Sequence, residues 1–362
     1  MNFLFLTGSR TAPSSRFRVW QFAQPLRDLG HSVTVRVPFP HHYWQSSIRR
    51  RELRYLHSLI ARCSQIVTAL YNLRDAHCYD IVFMNRPLIP PPKLTFVEPW
   101  LARRNRRLIF DFDDAIYVGK HERKLRTILP HFACITAGNE YLASFARQTN
   151  PRVEIWPTVV DTNRFRPRLN RKPGPVRIGW SGSSWTLKDH FPLLEGVLRE
   201  LAKTEKYELL VVADAPPTAA WEGVNMRFSP WSPETEVHHL QGMDIGLMPL
   251  PDKPFERGKC GFKAISYMAC GTPAVVSPVG ANADIVVHGE TGFHCRSDAD
   301  WIQCLRLLCR DEKLRRRLGE AGRVRVEKHY SVNLLLPKML QVFEQVSKLQ
   351  PRPSCQCSER SA

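Results

Sequence analysis

Short apolar runs separated by stretches of helical spacing occur in two series along this chain, with a basic, proline-containing interruption between them. The first series is Phe3 to Thr7, Ser32 to Val37, Ile81 to Asn85, Leu108 to Phe112, Ile135 to Ala137 and Val153 to Trp156. Continuous apolar runs of this length read as strands buried on both faces, and their alternation with helices demands a parallel sheet covered on two sides. The interruption, Arg164 to Pro175, has no periodicity and reads as a linker. A second series follows: Val176 to Trp180, Glu208 to Ala213, Met226 to Phe228, Ile245 to Pro249, Pro273 to Ser277 and Gly292 to His294. The expectation is an α/β chain of two doubly wound parallel-sheet domains, 1–162 and 176–330, joined by the linker 163–175. From Asp311 the chain reads as helical, with Ser331 as the N-cap of a last helix over 331–349 and a polar, disordered tail over 350–362.

At 362 residues the chain is long enough for two self-sufficient cores. Ten cysteines lie scattered without a CxxC ladder, which points to reduced thiols; Cys355 and Cys357 fall in the polar tail. No apolar run is long enough to span a bilayer, and Met1 to Leu6 lacks the basic flank of a signal peptide, so a cytoplasmic protein is expected. The formal charge is +18, and residues 1–160 carry 23 Lys or Arg against 11 Asp or Glu. Such a balance attracts phosphorylated ligands, anionic lipid and nucleic acid alike. No zinc finger, aromatic RNA-binding strand or continuous basic recognition helix is present, so no specific nucleic-acid partner is expected. Two basic stretches interleaved with aromatics and leucines, Ile48 to Leu56 behind Tyr43-Trp44 and Trp100 to Arg107, suit an anionic membrane surface.

The segment Gly258 to Asn282, GKCGFKAISYMACGTPAVVSPVGAN, carries the most chemistry. Phe262, Ile265, Met268 and Ala269 recur at helical spacing, Gly271 stops the helix, and Ala274 to Val276 is a buried strand. A helix opening at Cys260-Gly261 offers its first N–H groups to an anion, and glycine lets the ligand come close. Lys259 and Lys263, four residues apart, flank that end and can aim at one diphosphate. This stretch resembles the retaining glycosyltransferases of family 4, through MACGTPAVVSPVG above all. The resemblance implies the GT-B plan: two Rossmann-like domains facing across a cleft, with a last helix crossing back to the first. It also implies a nucleoside diphosphate sugar as substrate and no resident metal or cofactor. The family's paired glutamates are absent: Gly258 and Ser266 stand in their places, so ribose binding falls to the shorter Ser266 hydroxyl or to another group. The Gly-Lys-Cys-Gly-Phe-Lys pattern looks like a branch in which lysines take over part of the acidic motif.

The donor site expected on this basis comprises Lys259, Cys260, Gly261, Phe262, Lys263 and Ser266, joined by Gly182, Ser183 and Lys188 of the Gly/Ser-rich loop Gly179 to Lys188. Small residues in such a strand-to-helix loop expose backbone N–H groups to phosphate oxygens. Lys188 and Lys263 are expected to stabilise charge on the departing diphosphate. In the first half, Asp111, Asp113 and Asp114 end a strand, where open α/β sheets bind ligands. Asp113 and Asp114 are expected to act in catalysis by binding acceptor hydroxyls or the transferred sugar, with helix capping as the plain alternative. Arg16, favoured over Arg18, together with Asp111 and Asn139, completes the acceptor side; capping is the other reading of Asn139. Glu256 is a further candidate for the lost acidic contact, out of register with the family. The function expected is transfer of a hexosyl-type sugar to a glycan or lipid-linked acceptor. The alternatives are a non-catalytic relative that binds nucleotide or polyanion, and a sugar-nucleotide epimerase of the same fold.

Overall fold

The computed structural model describes residues 1–37, 60, 63–64, 66–72, 74–88, 95–119, 121–168 and 174–349. The basic stretch around Ile48 to Leu56, the residues 169–173 of the expected linker and the tail 350–362 lie outside them. The chain divides into two compact units, Met1–Pro157 with Leu336–Ala362, and Thr158–Leu335.

The first unit holds strands β1 (Asn2–Leu6), β2 (Ser32–Arg36), β3 (Ile81–Asn85), β4 (Leu108–Phe112), β5 (Cys134–Ala137) and β6 (Val153–Ile155) in the order β2-β1-β3-β4-β5-β6. Every pairing is parallel. β1, β3 and β4 are almost wholly buried, which explains why they are continuous apolar runs rather than alternating ones. The last helix, Val332–Ser347, contributes Phe343 to this unit's core, where its ring meets Phe3 at 5.1 Å, Phe83 at 6.0 Å and Trp156 at 6.1 Å. Burying a Phe of this kind contributes about 1.5–3 kcal/mol. Ser331 Oγ accepts from the Leu334 N–H at the start of that helix.

The second unit holds β7 (Val176–Ser181), β8 (Tyr207–Ala213), β9 (Met226–Pro230), β10 (Ile245–Met248), β11 (Ala274–Val276) and β12 (Gly292–His294), ordered β12-β11-β10-β7-β8-β9 and again parallel throughout. Its core is built around Trp180, Phe191 and Trp221, with the last two rings stacked at 4.5 Å. In each sheet the winding reverses once. The chain leaves β1 for β2 and returns to β3 on the other side; it runs β7, β8, β9 and returns to β10. The carboxyl ends of β1 and β3, and of β7 and β10, are therefore topological switch points, where open α/β sheets form their ligand crevices.

Candidate functional site

At the switch point of the second unit, helix Phe262–Ala269 packs against β10. Its cap, Gly261, has φ +66°, and a Cβ there would lie 2.0 Å from Ile285 Cδ1, so both backbone and space require glycine. Gly271, at φ +74°, ends the helix in the left-handed conformation. Tyr267 fixes the helix to the sheet: its hydroxyl accepts from the Ser181 N–H at 2.9 Å and donates to the Leu247 carbonyl at 3.2 Å, joining the ends of β7 and β10.

The two lysines at the helix head rest on aromatic rings. Lys263 Nζ lies 4.6 Å from the centroid of buried Trp180, and Lys259 Nζ lies 4.7 Å from Phe255 and 5.6 Å from Trp185. Such contacts are worth about 0.5–2 kcal/mol and help to hold the ammonium groups in place. Burial, reinforced by the charge of Lys259, brings the Lys263 pKa down to about 7. Beneath them His190 is buried and its Nε2 lies 3.2 Å from Glu256 Oε1; burial and the two ammonium groups lower its pKa. Two buried polar atoms here, Trp180 Nε1 and His190 Nδ1, have no hydrogen-bond partner. Buried polar atoms without a partner are rare in folded proteins, which marks this spot out.

Of the residues expected at the donor site, the structure gathers Lys259, Gly261, Phe262 and Lys263 at one helix end. Cys260 is buried, with Sγ 3.8 Å from the Gly258 carbonyl. Three expectations need correction. The Ser266 hydroxyl is turned onto the Lys263 carbonyl at 2.9 Å in a buried side chain, so it caps its own helix rather than facing a ribose. The amides of the Gly/Ser loop are already engaged: Gly182 N–H with Val212 O at 3.0 Å, Ser184 N–H with Asp214, and Thr186 N–H with Ser183 Oγ at 3.3 Å. Ser183 is thus the N-cap of helix Ser184–Asp189, and the carboxylate of Asp214 occupies the place at which a phosphate was expected. Gly182 is small for a different reason, since a Cβ there would strike the Trp180 ring at 2.5 Å. Lys188 is exposed in the last turn of that helix, where its charge complements the helix dipole. Glu256, out of register for a ribose contact, is committed to His190.

In the first unit the residues meet at the β1/β3 switch point. Asp111 is fully buried in β4 and is not a ligand group: it pairs with Arg18 and accepts from Asn85 Nδ2 at 2.9 Å and Thr136 Oγ1 at 2.6 Å. Register makes this ladder, because Asn85 and Thr136 sit opposite Asp111 on β3 and β5. Arg16 and Arg18 both lie in a π-helical turn, Arg16–Trp20, and both are buried; Arg18 also donates to the Trp156 carbonyl at 2.6 Å, while Arg16 lies 4.8 Å from the Phe17 ring centroid. Asn139 accepts from the Leu142 N–H at 3.0 Å and caps helix Glu140–Arg147. Asp113 and Asp114 stand past the strand end, partly buried. Asp113 Oδ1 accepts from Ser14 Oγ at 2.7 Å and from Arg86 at 3.2 Å, and Asp114 Oδ2 accepts from Arg86 at 2.6 Å. Burial opposes the charge of Asp113, yet Arg86, Arg18 and Ser14 hold its pKa below the usual carboxylate value. Among the described residues no cluster of three His, Cys, Asp or Glu side chains has the geometry of a metal site.

Sequence reasoning missed Arg86 and the aromatic floor of Trp180, Trp185 and Phe255. The floor had one legible signal, the four-residue spacing of Phe255 and Lys259. Arg86 had its place alone, one residue past a strand end.

Two six-stranded parallel sheets with these switch points match the GT-B α/β fold, and part of the second unit is similar to a known transferase family. Residues 175–311 match the family described as Glycosyl transferases group 1. Among curated proteins, D-inositol 3-phosphate glycosyltransferase of Pseudarthrobacter chlorophenolicus is 25% identical over 203 residues, 49% of this chain and 46% of that protein. N-acetyl-alpha-D-glucosaminyl L-malate synthase of Bacillus anthracis is 33% identical over 78 residues, 21% of this chain and 20% of that protein. The matched region spans less than half the length of either relative. Among solved structures, a glycosyltransferase from Rickettsia africae aligns with TM-score 0.69 at 14% identity, over 96% of this chain and 99% of that one. HepE of Anabaena, solved with UDP and glucose, aligns with TM-score 0.65 at 14% identity, over 95% and 100%. At such identities the likeness establishes the fold.

Proposed function

We propose that this chain is a glycosyltransferase that takes its sugar from a nucleoside diphosphate donor held by the second unit and passes it, with retention, to a hydroxyl of a glycan or lipid-linked acceptor. One observation carries the reading: two ammonium groups, those of Lys259 and Lys263, flank a glycine-capped helix end at a switch point. That arrangement suits a diphosphate, whose charge it neutralises in the ground state and more strongly as the leaving group gains charge. The family match over residues 175–311 supports it, and so does the UDP bound by HepE, which makes a uridine donor the first to try. The positive charge needed at the diphosphate comes here from Lys259 and Lys263 rather than from a metal ion. Asp113 and Asp114, acceptor-only groups when ionised, would take the hydrogens of acceptor hydroxyls. Near the second basic stretch, Phe96 and Trp100 are half exposed beside exposed Arg103 and Arg104, a pairing of rings and cations that suits peripheral contact with an anionic membrane.

Calorimetric titration of the purified protein with UDP, GDP, ADP and dTDP at physiological salt tests the reading. Selective binding of one diphosphate, weakened about 10- to 100-fold by Lys263→Ala, is expected from a charge-assisted hydrogen bond of about 1.5–3 kcal/mol. Binding of none would leave the chain a non-catalytic or polyanion-binding relative.

A further inference from the structure

Arg86 is the one non-glycine residue with positive φ among those described, at +72°. The left-handed conformation is strained for any residue that carries a Cβ. Here Pro87 follows, and a residue before proline is further restricted toward extended backbone. A strained residue persists only where its surroundings over-determine it, and such residues cluster at functional sites. The surroundings of Arg86 do so from three sides. Its N–H donates to the Asp111 carbonyl at 2.9 Å, one Nη bridges Asp113 and Asp114, and its neighbour Asn85 is bonded to Asp111, Thr7 and Ser14. The side chain is still 39% exposed, so the strain does not serve burial.

We propose that Arg86 is a positioning residue, which fixes the carboxylates of Asp113 and Asp114 at the mouth of the β1/β3 switch point, where the hydroxyl groups of the acceptor dock. This deepens the transferase reading and rests on it. An extended Arg86, free of strain, would carry its guanidinium away from both carboxylates. Held as it is, one Nη of the guanidinium ties one oxygen of each aspartate, so the two carboxylates keep a fixed spacing. The charged and polar groups that act on Asp113 include Arg86 from the end of β3, and Arg18 and Ser14 from the segment after β1; Asp111 and Asp114 are its acidic neighbours in sequence. Without Arg86, only Arg18 and Ser14 would oppose the effect of burial, and the Asp113 pKa would rise. The carboxylate would then be lost at a higher pH as acid is added.

The test uses the full chain, the nucleoside diphosphate that binds it, and myo-inositol, methyl α-glucoside and N-acetylglucosamine as hydroxyl probes, followed by saturation-transfer NMR from pH 4 to 8. At least one probe should bind, and Arg86→Gln should weaken it by about tenfold or more. Its acid loss of binding should move up by about one to three pH units, the usual influence of an arginine on a neighbouring Asp. Arg86→Lys should restore the acid limb but not the affinity, because lysine lacks the planar fork. Diphosphate affinity should stay unchanged in both variants. A probe that binds Arg86→Gln as well as it binds the parent at every pH overturns the proposal, as does failure of every probe in a protein that binds diphosphate. Failure of diphosphate binding itself overturns the transferase reading instead. Comparing Arg86→Gly with Arg86→Ala, which remove the same guanidinium, checks the strain: the glycine variant should be the more stable by denaturant unfolding, and equal stability would also count against the proposal.

Discussion

Lys263 should make donor affinity depend on pH in the physiological range. Its ammonium, partly buried over Trp180 and repelled by Lys259, has a pKa of about 7 in the empty protein. A diphosphate binds the protonated form. If it accepts one charge-assisted hydrogen bond worth about 1.5–3 kcal/mol, the pKa of the bound lysine rises by about one to two units, since one unit corresponds to about 1.4 kcal/mol. The complex therefore holds more protons than the free protein between about pH 7 and 9. Affinity is greatest and level below the free pKa, falls as the pH rises through that window, and levels again once the bound lysine has lost its proton, after a weakening of roughly 10- to 100-fold. Calorimetry with a nucleotide sugar from pH 6.5 to 9.5 reads the change; a nucleotide sugar is used because its diphosphate has no titrating oxygen there. Two buffers of different ionisation enthalpy count the protons taken up. Lys263→Arg, always charged, should bind with a flat profile, and Lys263→Ala should be both weak and flat. A parent protein whose dissociation constant stays within twofold across that range, with no proton uptake, would refute the argument.

Gly261→Ala combines left-handed strain of about 1–2 kcal/mol with overpacking against Ile285 of about 1–3 kcal/mol, and should lower stability by about 2–5 kcal/mol in urea unfolding; a loss under 1 kcal/mol would contradict the geometry. Arg18→Met strands the buried Asp111 carboxylate and should cost about 3–5 kcal/mol, recovered in part by Asp111→Asn in the same chain, whereas a small loss would mean that the pair is not structural. Co-sedimentation with vesicles should require anionic lipid and weaken when Arg103 and Arg104 are both replaced by Gln; retention independent of lipid charge would remove the membrane proposal.

The strands were legible because parallel, doubly covered strands must be apolar along their whole length, and all twelve fall within about two residues of the expected bounds. Helix Phe262–Ala269 was legible through its period and its two glycines. The site was legible only where sequence neighbours act together, as Lys259 and Lys263 do on one helix end. Asp111, Asp113 and Asp114 look alike in the sequence, yet Asp111 lies inside the sheet between Asn85 and Thr136 while the other two stand beyond its edge. Ser266 and the Gly/Ser loop were misread because nothing local shows that a hydroxyl turns back onto Lys263 or that Asp214, about thirty residues away, reaches the loop's amides. Arg86 was invisible for a sharper reason. Left-handed backbone is announced by glycine or asparagine, and a residue before proline argues for the opposite conformation.

The hydroxyl of Tyr267 joins the ends of β7 and β10, and burial holds its pKa above the ordinary tyrosine value. It therefore stays protonated wherever the protein is folded. Lys263, one turn earlier on the same helix, changes charge near neutrality. One short helix thus carries an anchor indifferent to acidity and an ammonium group governed by it. On the proposed reading, a change in acidity around the protein would retune how tightly the donor is held while the helix keeps its seat. Exchange of the Ser181 amide, which is guarded by that hydroxyl, would show the seat undisturbed.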